Sequence, residues 1–483
     1  MSRVSRRSFM AGMATVSAGL CFRNYAFASP AARVRHEART AEGKKMLKIY
    51  ADAVNNMMNA IREGDPRNWI FQWYTHSVPP NGIAQNKADK INSTYPSPSP
   101  FKDLATAMWN TCQAHPGSES PVEDYFLPWH RMFVYYFEEI IRYAAKNDSF
   151  TLPYWNYSAG QDSAKIPDEF RSGVLSKPNR NTGVNTGSPI ASDARLDPKP
   201  ALKQPTYSPQ GVQQGFNLAL DSGVHGQVHV SVGNTTNMGV VPFAGGDPVF
   251  WMHHCNIDRL WASWNRNGGR NPDTSTWLDK EFTFADRDGK PAKKKNKEVD
   301  DIAKLGYSYD RLEPAPPNFQ PEARIALRAV HNANFAEAPS HALALGRGPV
   351  RLELEHSATN KNRLLVDELK ALGTERSLYL VLKDLQTNAQ PGVLYDVYLD
   401  LPASGSTNEA TDNYVGTINF FNADHTHTGA ASQQFYSFDV TDLARKLQSK
   451  GGVPEKPSVT IAPAGEPADQ AKPVVGDVSL VEQ

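Results

Sequence analysis

The stretch Asp247-Pro-Val-Phe-Trp-Met-His-His-Cys-Asn-Ile-Asp-Arg-Leu-Trp261 constrains this chain more than any other. It sets two adjacent histidines in an apolar run. Asp247 suits an N-cap, and Pro248 suits the first helical turn. Phe250, His254, Ile257 and Trp261 then fall on one helical stripe, at spacings of four, three and four. The run from Phe250 to Trp261 reads as one buried helix, with His254 and Asp258 close together on it. Taken alone, a histidine pair in such a helix also fits a core whose polar groups are hydrogen-bonded.

The pair does not stand alone. Between residues 76 and 254 the chain holds seven histidines, at 76, 115, 130, 225, 229, 253 and 254. His76 ends an aromatic stretch that starts at Asn68. His115 follows Cys112. His130 lies in Tyr125-Phe-Leu-Pro-Trp-His-Arg131, ahead of a strongly amphipathic helix from Met132 to Ala145. His225 and His229 are four apart, which aims two imidazoles at one point. The histidines form two groups: His76, His115 and His130, then His225 and His229 with the pair at 253–254. No His-Glu-x-x-His pattern and no zinc-spaced cysteine cluster occurs, which disfavours a metalloprotease or a structural zinc site. Neutral imidazole suits zinc, copper, iron and nickel. Six imidazoles without carboxylates, as two sets of three, favour copper. The ligand types alone leave a dizinc hydrolase open.

The remainder of the chain bounds the reading. At 483 residues it is long for one domain and comfortable for two. Lys+Arg and Asp+Glu are both 51, so no net field draws nucleic acid or an anionic membrane. Beyond residue 30 no apolar run reaches the length of a membrane span. Residues 1–28 read as an export signal. Ser5-Arg6-Arg7-Ser8-Phe9-Met10 resembles a twin-arginine motif, and Ala26-Phe27-Ala28 offers the cleavage site. That implies a periplasmic or secreted protein. Two cysteines remain after cleavage, Cys112 and Cys255, too few for a disulfide scaffold.

Helical patterning runs from Arg33 to Arg62, returns over Met132–Ala145 and ends with the Phe250–Trp261 run. Residues 158–210 are a long Pro/Ser/Asn/Gly-rich loop, and Lys293–Lys297 reads as a solvated basic loop. Glu313–Pro321 is a Pro-rich linker. After it, strand-like runs recur at Val350–Leu354, Leu378–Leu382, Val393–Leu399, Tyr414–Phe421, Gln434–Val440 and Val459–Ile461. The expected architecture is a mainly α domain over 29–312, with a four-helix bundle and long loops. The linker at 313–321 leads to a β-sandwich-like domain over 322–483.

Four motifs together resemble the type-3 copper proteins: tyrosinases, catechol oxidases and hemocyanins. They are Phe126-Leu-Pro-Trp-His130-Arg131, His225-x-x-x-His229, Asn237-Met-Gly239 and the Asp247–Trp261 run. Tyr307-Ser-Tyr309 resembles the Tyr-x-Tyr signature that closes the catalytic domain of plant polyphenol oxidases. Residues 320–483 resemble their C-terminal β domain. The resemblance implies two copper ions, one on His76, His115 and His130, the other on His225, His229 and His254. His253 then lines the pocket. Asp258 is a candidate to orient an imidazole, or else to form an ion pair with Arg259 or another basic residue. The gap from His115 to His130 is longer than the family's usual spacing, and Cys112 is a candidate for the thioether that some relatives carry. His425 and His427 are expected on a loop of the C-terminal domain.

The implied reaction is oxidation of o-diphenols to o-quinones with O₂, with phenol and O₂ as partners. The oligomeric state is not legible. Gly226 follows the first histidine of the second group, where monophenol-active relatives often carry Asn. Asp221 stands where they carry Glu. Both departures favour catechol oxidation. Val241 aligns with a bulky gate residue of plant catechol oxidases, which implies an open entrance. The rival readings are an o-aminophenol oxidase and a hemocyanin-like oxygen binder. In relatives the C-terminal domain covers the copper pocket, and the linker at 313–321 is the expected cut site.

Overall fold

The computed structural model describes residues 33–76, 92, 95, 99–110, 124–235, 237–317, 319, 321, 333–338, 342–356, 372, 376–423, 435–450 and 456–483. The export signal, Cys112, His115, His425 and His427 lie outside the described residues.

The first half is helical. A short strand β1 (Arg33–Arg35) opens it, where helix was expected. It pairs in parallel with β4 (Tyr307–Tyr309), so partners 274 residues apart in sequence overrule the local pattern. Helix α1 (Ala41–Asn59) starts at Thr40, whose side chain accepts from the Gly43 N–H. Its apolar stripe (Leu47, Tyr50, Val54, Met57) is buried. Then follow α2 (Trp69–Tyr74), α3 (Pro100–Asn110) and α4 (Phe126–Ala145). Helix α5 (Gly215–Leu220) runs through a π-helical segment, Asp221–His225, into α6 (Gly226–Val232).

The opening run forms α7 (Val249–Arg266), as its periodicity predicts. Asp247 caps it by accepting from the Val249 N–H at 3.1 Å. Arg180 holds the same carboxylate through two bonds of 2.8 and 2.7 Å. A hairpin of β2 (Glu281–Ala285) and β3 (Pro291–Lys295) corrects the reading of Lys293–Lys297 as loop. Three consecutive lysines, Lys293 to Lys295, carry no apolar alternation, so the strand does not show in the pattern.

The C-terminal third is a sheet-on-sheet domain, as expected. Its strands are β5 (Ala333–Glu337), β6 (Val350–Glu353), β7 (Leu378–Gln386), β8 (Tyr395–Leu399), β9 (Tyr414–Ile418) and β10 (Tyr436–Asp439). Helix α8 (Thr441–Ser449), β11 (Ser458–Pro463) and β12 (Val474–Glu482) complete it. One sheet runs β9-β8-β11-β6, and the other contains β10-β7-β12-β5. Strand β12 is central and pairs with β7 over most of its length. Sequence reading passed over it, because Gly, Asp and Ser interrupt its four valines; pairing on both edges fixes it in the sheet. Leu380, Leu382, Val397, Leu399, Ile461 and Leu480 fill the space between the sheets. Among the described residues no helix is long and apolar enough to cross a membrane.

Candidate dinuclear metal centre

Four segments bring six described histidines to one buried point. His76 follows α2, His130 sits at the start of the second turn of α4, His225 directly precedes α6 and His229 lies within it, and His253 and His254 lie in the N-terminal third of α7. All six are at most 3 % exposed. The His130 and His254 rings stack at 4.5 Å and 15°. His225 lies 4.6 Å from His229 and 5.1 Å from His254, centroid to centroid. One ring nitrogen each of His225, His229, His253 and His254 falls within 4.8 Å of the others.

Backbone carbonyls set the tautomers. Nδ1 of His76 faces the Val241 carbonyl at 3.2 Å, that of His130 the Phe126 carbonyl at 2.8 Å, and that of His229 the Met238 carbonyl at 2.8 Å. A carbonyl only accepts, so each of these Nδ1 atoms carries the proton and each Nε2 keeps its lone pair. Nε2 of His76 and His130 then face one another at 3.4 Å, two acceptors with no hydrogen between them. Nε2 of His229 meets Nε2 of His254 at the same 3.4 Å. A cation between the His76 and His130 atoms turns that repulsion into two bonds; between His229 and His254 it gains two lone pairs when His254 carries its proton on Nδ1, which has no other partner among the described residues. His225 Nδ1 lies 2.9 Å from Asp221 Oδ1, which holds that ring in the same sense. Burial first, then neighbouring imidazoles, holds His229, His253 and His254 well below the usual imidazole pKa. They are neutral at pH 7 and fit a metal that takes neutral nitrogen ligands.

The motifs explain themselves physically. Asn237-Met-Gly239 presents the carbonyl that anchors His229. A Cβ at Gly239 would fall 2.2 Å from the Asn234 carbonyl oxygen, so this turn closes with glycine. Arg131, next to His130, ties α4 to α7. Its Nε donates to Asp258 Oδ1 at 2.5 Å, and its guanidinium lies 3.5 Å over the Trp261 ring. That lock holds His130 and His254 face to face.

Two positions are decided here. Asp258 takes its ion-pair role and orients no imidazole. It accepts from Arg131, from Arg35 at 3.3 Å, from Tyr307 at 2.6 Å and from Tyr309 at 2.5 Å, a saturated set behind the site. Two charged partners outbid a ring one turn away on the same helix. Val241 does not leave the entrance open. It is fully buried in a cluster with Val230, Leu394 and Phe421, the last two from the C-terminal domain.

Phe421 is the residue that sequence reasoning missed. Its ring stacks on His229 at 4.3 Å and 13° and lies 5.7 Å from His225. Asn419 Nδ2 donates to the Ser222 carbonyl at 2.7 Å, and Asn422 Nδ2 donates to Asp221 Oδ1 at 3.3 Å. The Tyr436 hydroxyl also donates to the Ser222 carbonyl, at 2.9 Å. An aromatic flanked by Asn residues at a strand end was the available signal. It reads equally as an ordinary turn. His253, expected to line the pocket, stacks on His225 at 5.3 Å and 12°. Neither of its ring nitrogens has a hydrogen-bond partner among the described residues.

Comparison with known proteins agrees. The model of the common central domain of tyrosinase matches residues 66–217 and 197–267. That of the polyphenol oxidase middle domain matches 271–321, and a domain of unknown function matches 333–483. A tyrosinase of Hahella sp. (strain CCB-MM4) is 27 % identical over 90 % of this chain and 96 % of its own length. The chloroplastic polyphenol oxidase A1 of Vicia faba is 25 % identical over 87 % of this chain and 72 % of its own. The structure of latent apple tyrosinase superposes with a TM-score of 0.60 at 17 % identity, covering 94 % of this chain and 98 % of that one. Residues 66–267 thus match the common central domain of tyrosinase, and most of the chain is similar to tyrosinases and polyphenol oxidases, oxidoreductases of the type-3 copper class.

Proposed function

We propose that this protein oxidises o-diphenols to o-quinones with O₂, with monophenol hydroxylation the weaker activity. The observation that carries the reading is the pair of Nε2 contacts, His76 with His130 and His229 with His254. One copper is assigned to His76, His115 and His130, the other to His225, His229 and His254. Bound copper supplies O₂ binding and accepts two electrons from the diphenol. The chain supplies position and dryness. Phe126, Phe250 and Phe133 wall the imidazoles with rings that exclude water. The substrate ring takes the place of Phe421 against His229. Asp221 keeps the His225 Nδ1 proton, so that ring holds its orientation. Gly226 brings no side-chain amide of its own to the phenol oxygen, and the short Asp221 carboxylate is taken up by His225 Nδ1, which favours the already dihydroxylated ring.

The C-terminal domain is read as a shield. Phe421 stands on the imidazole face that a phenol needs, and the linker at 313–321 is the expected hinge or cut site. Residues 1–28 are read as a twin-arginine-type signal for export of the folded protein.

Side-by-side rates of the copper-loaded chain on L-DOPA and tyrosine test the reaction. Rapid quinone formation from L-DOPA with slower turnover of tyrosine is expected. A dicopper protein that turns over neither is an oxygen binder. A protein that takes up zinc and no copper refutes the copper assignment.

A further inference from the structure

Gly226 follows His225 with φ −62° and ψ −35°, a conformation open to every L-residue. Alanine there would favour the helix. The backbone therefore gives no reason for glycine, but space does. A Cβ on Gly226 would fall 2.6 Å from Asn419 Oδ1, 2.8 Å from Nδ2 and 3.0 Å from Cγ. All three atoms belong to one side chain of the C-terminal domain. That carboxamide is held at both ends. Its Nδ2 donates to the Ser222 carbonyl at 2.7 Å, and its Oδ1 accepts from the Phe421 N–H at 3.1 Å. Asn419 is 3 % exposed, so it has no open side to swing toward. These bonds fix the segment that lays Phe421 on His229.

We infer that Gly226 is the seat of the closed form: a side chain at position 226 and the docked C-terminal domain exclude one another. The inference deepens the reading of that domain as a shield and rests on it. Its consequence is a coupling. Position 226 directly follows His225, and the proposed function gives it a part in substrate choice. A larger residue there, whatever it does to substrate choice, also releases the shield. One residue then sets selectivity and latency together.

The test uses the full copper-loaded chain with Gly226→Ala, Asn419→Ala, the double variant and Phe421→Ala. Two quantities are read: backbone hydrogen exchange over residues 414–423, and catechol turnover. Gly226→Ala is expected to speed exchange roughly tenfold, equivalent to about 1.4 kcal/mol, within the range for overpacking, and to raise turnover. Asn419→Ala removes all three colliding atoms, so in that background Gly226→Ala should change neither quantity. Exchange in Gly226→Ala equal to the parent's, or the same increment in both backgrounds, overturns the seat. If Gly226→Ala folds poorly, rescue by Asn419→Ala is the expected result, and a double variant that folds no better overturns it. Phe421→Ala separates the two readings. If both single variants loosen the segment without raising turnover, the seat stands and the shield fails. If Phe421→Ala raises turnover while Gly226→Ala leaves exchange unmoved, the seat alone is overturned.

Discussion

Replacing Phe421 by alanine probes the link between the two domains most directly. The ring is 1 % exposed, stacked on His229, and packed with Val230, Val241 and Leu394. Burying a phenylalanine side chain contributes ~1.5–3 kcal/mol, and a ring stack adds ~0.5–1.5 kcal/mol. Alanine keeps one methylene-sized contact, and the undocked segment still shields part of the ring. A net loss of about 2 kcal/mol to the closed form is therefore the working figure, a shift of ~30-fold in the closing equilibrium. The variant also removes the ring from the imidazole face without any domain movement. Both routes raise catechol turnover by the full-length, copper-loaded chain. Oxygen uptake, or quinone absorbance against catechol concentration, measures the change. Phe421→Leu should fall between parent and alanine, since it keeps apolar burial and loses the stack. An alanine variant with full copper, an unchanged melting temperature and the parent's turnover would refute the reasoning. It would mean that the ring contacts His229 without standing in the substrate's way.

Three further outcomes are expected. Arg195 bridges the domains through Asp396, at 3.1 and 2.6 Å, and through Glu409 at 3.1 Å. Arg195→Gln should weaken closure by roughly 2 kcal/mol and flatten any rise of full-chain turnover with ionic strength; an unchanged salt response rules this latch out. Asp258→Asn leaves Arg35 and Arg131 buried without their shared carboxylate. It should cost about 3–5 kcal/mol, read as a lower denaturation midpoint, and a neutral result would mean that the two arginines find other acceptors. The metal-free protein should lose stability on acidification. His229, His253 and His254 are held well below the usual imidazole pKa by burial and then by neighbouring imidazoles. The unfolded chain therefore binds more protons once the pH falls below about 6.5, and stability falls with pH from there while staying flat above it. Denaturant midpoints at pH 7.5 and 5.5 check this, and equal midpoints would sink it.

The sequence by itself determined the helix of the opening run and the grouping of the histidines. It also determined the change from helical to alternating patterning after the linker. Each is a local property: a 3.6-residue stripe, an i, i+4 pair, a two-residue alternation. Tertiary structure decided what the polar groups bond to. Asp258 looked like a partner for His254 because they share a helix face, yet Arg131 and Arg35 arrive from α4 and β1 and take both oxygens. Strand β12 has four strand-favouring valines, but its place mid-sheet is set by β7 and β5, which flank it. Val241 read as an open gate until Leu394 and Phe421 came to cover it. The tautomers of His76, His130 and His229 follow from carbonyls at Val241, Phe126 and Met238, atoms that every residue has and no motif can show. Side-chain chemistry and spacing are written along the chain. Which acceptor meets which donor across 200 residues is settled when the layers pack and buried polar groups must find partners.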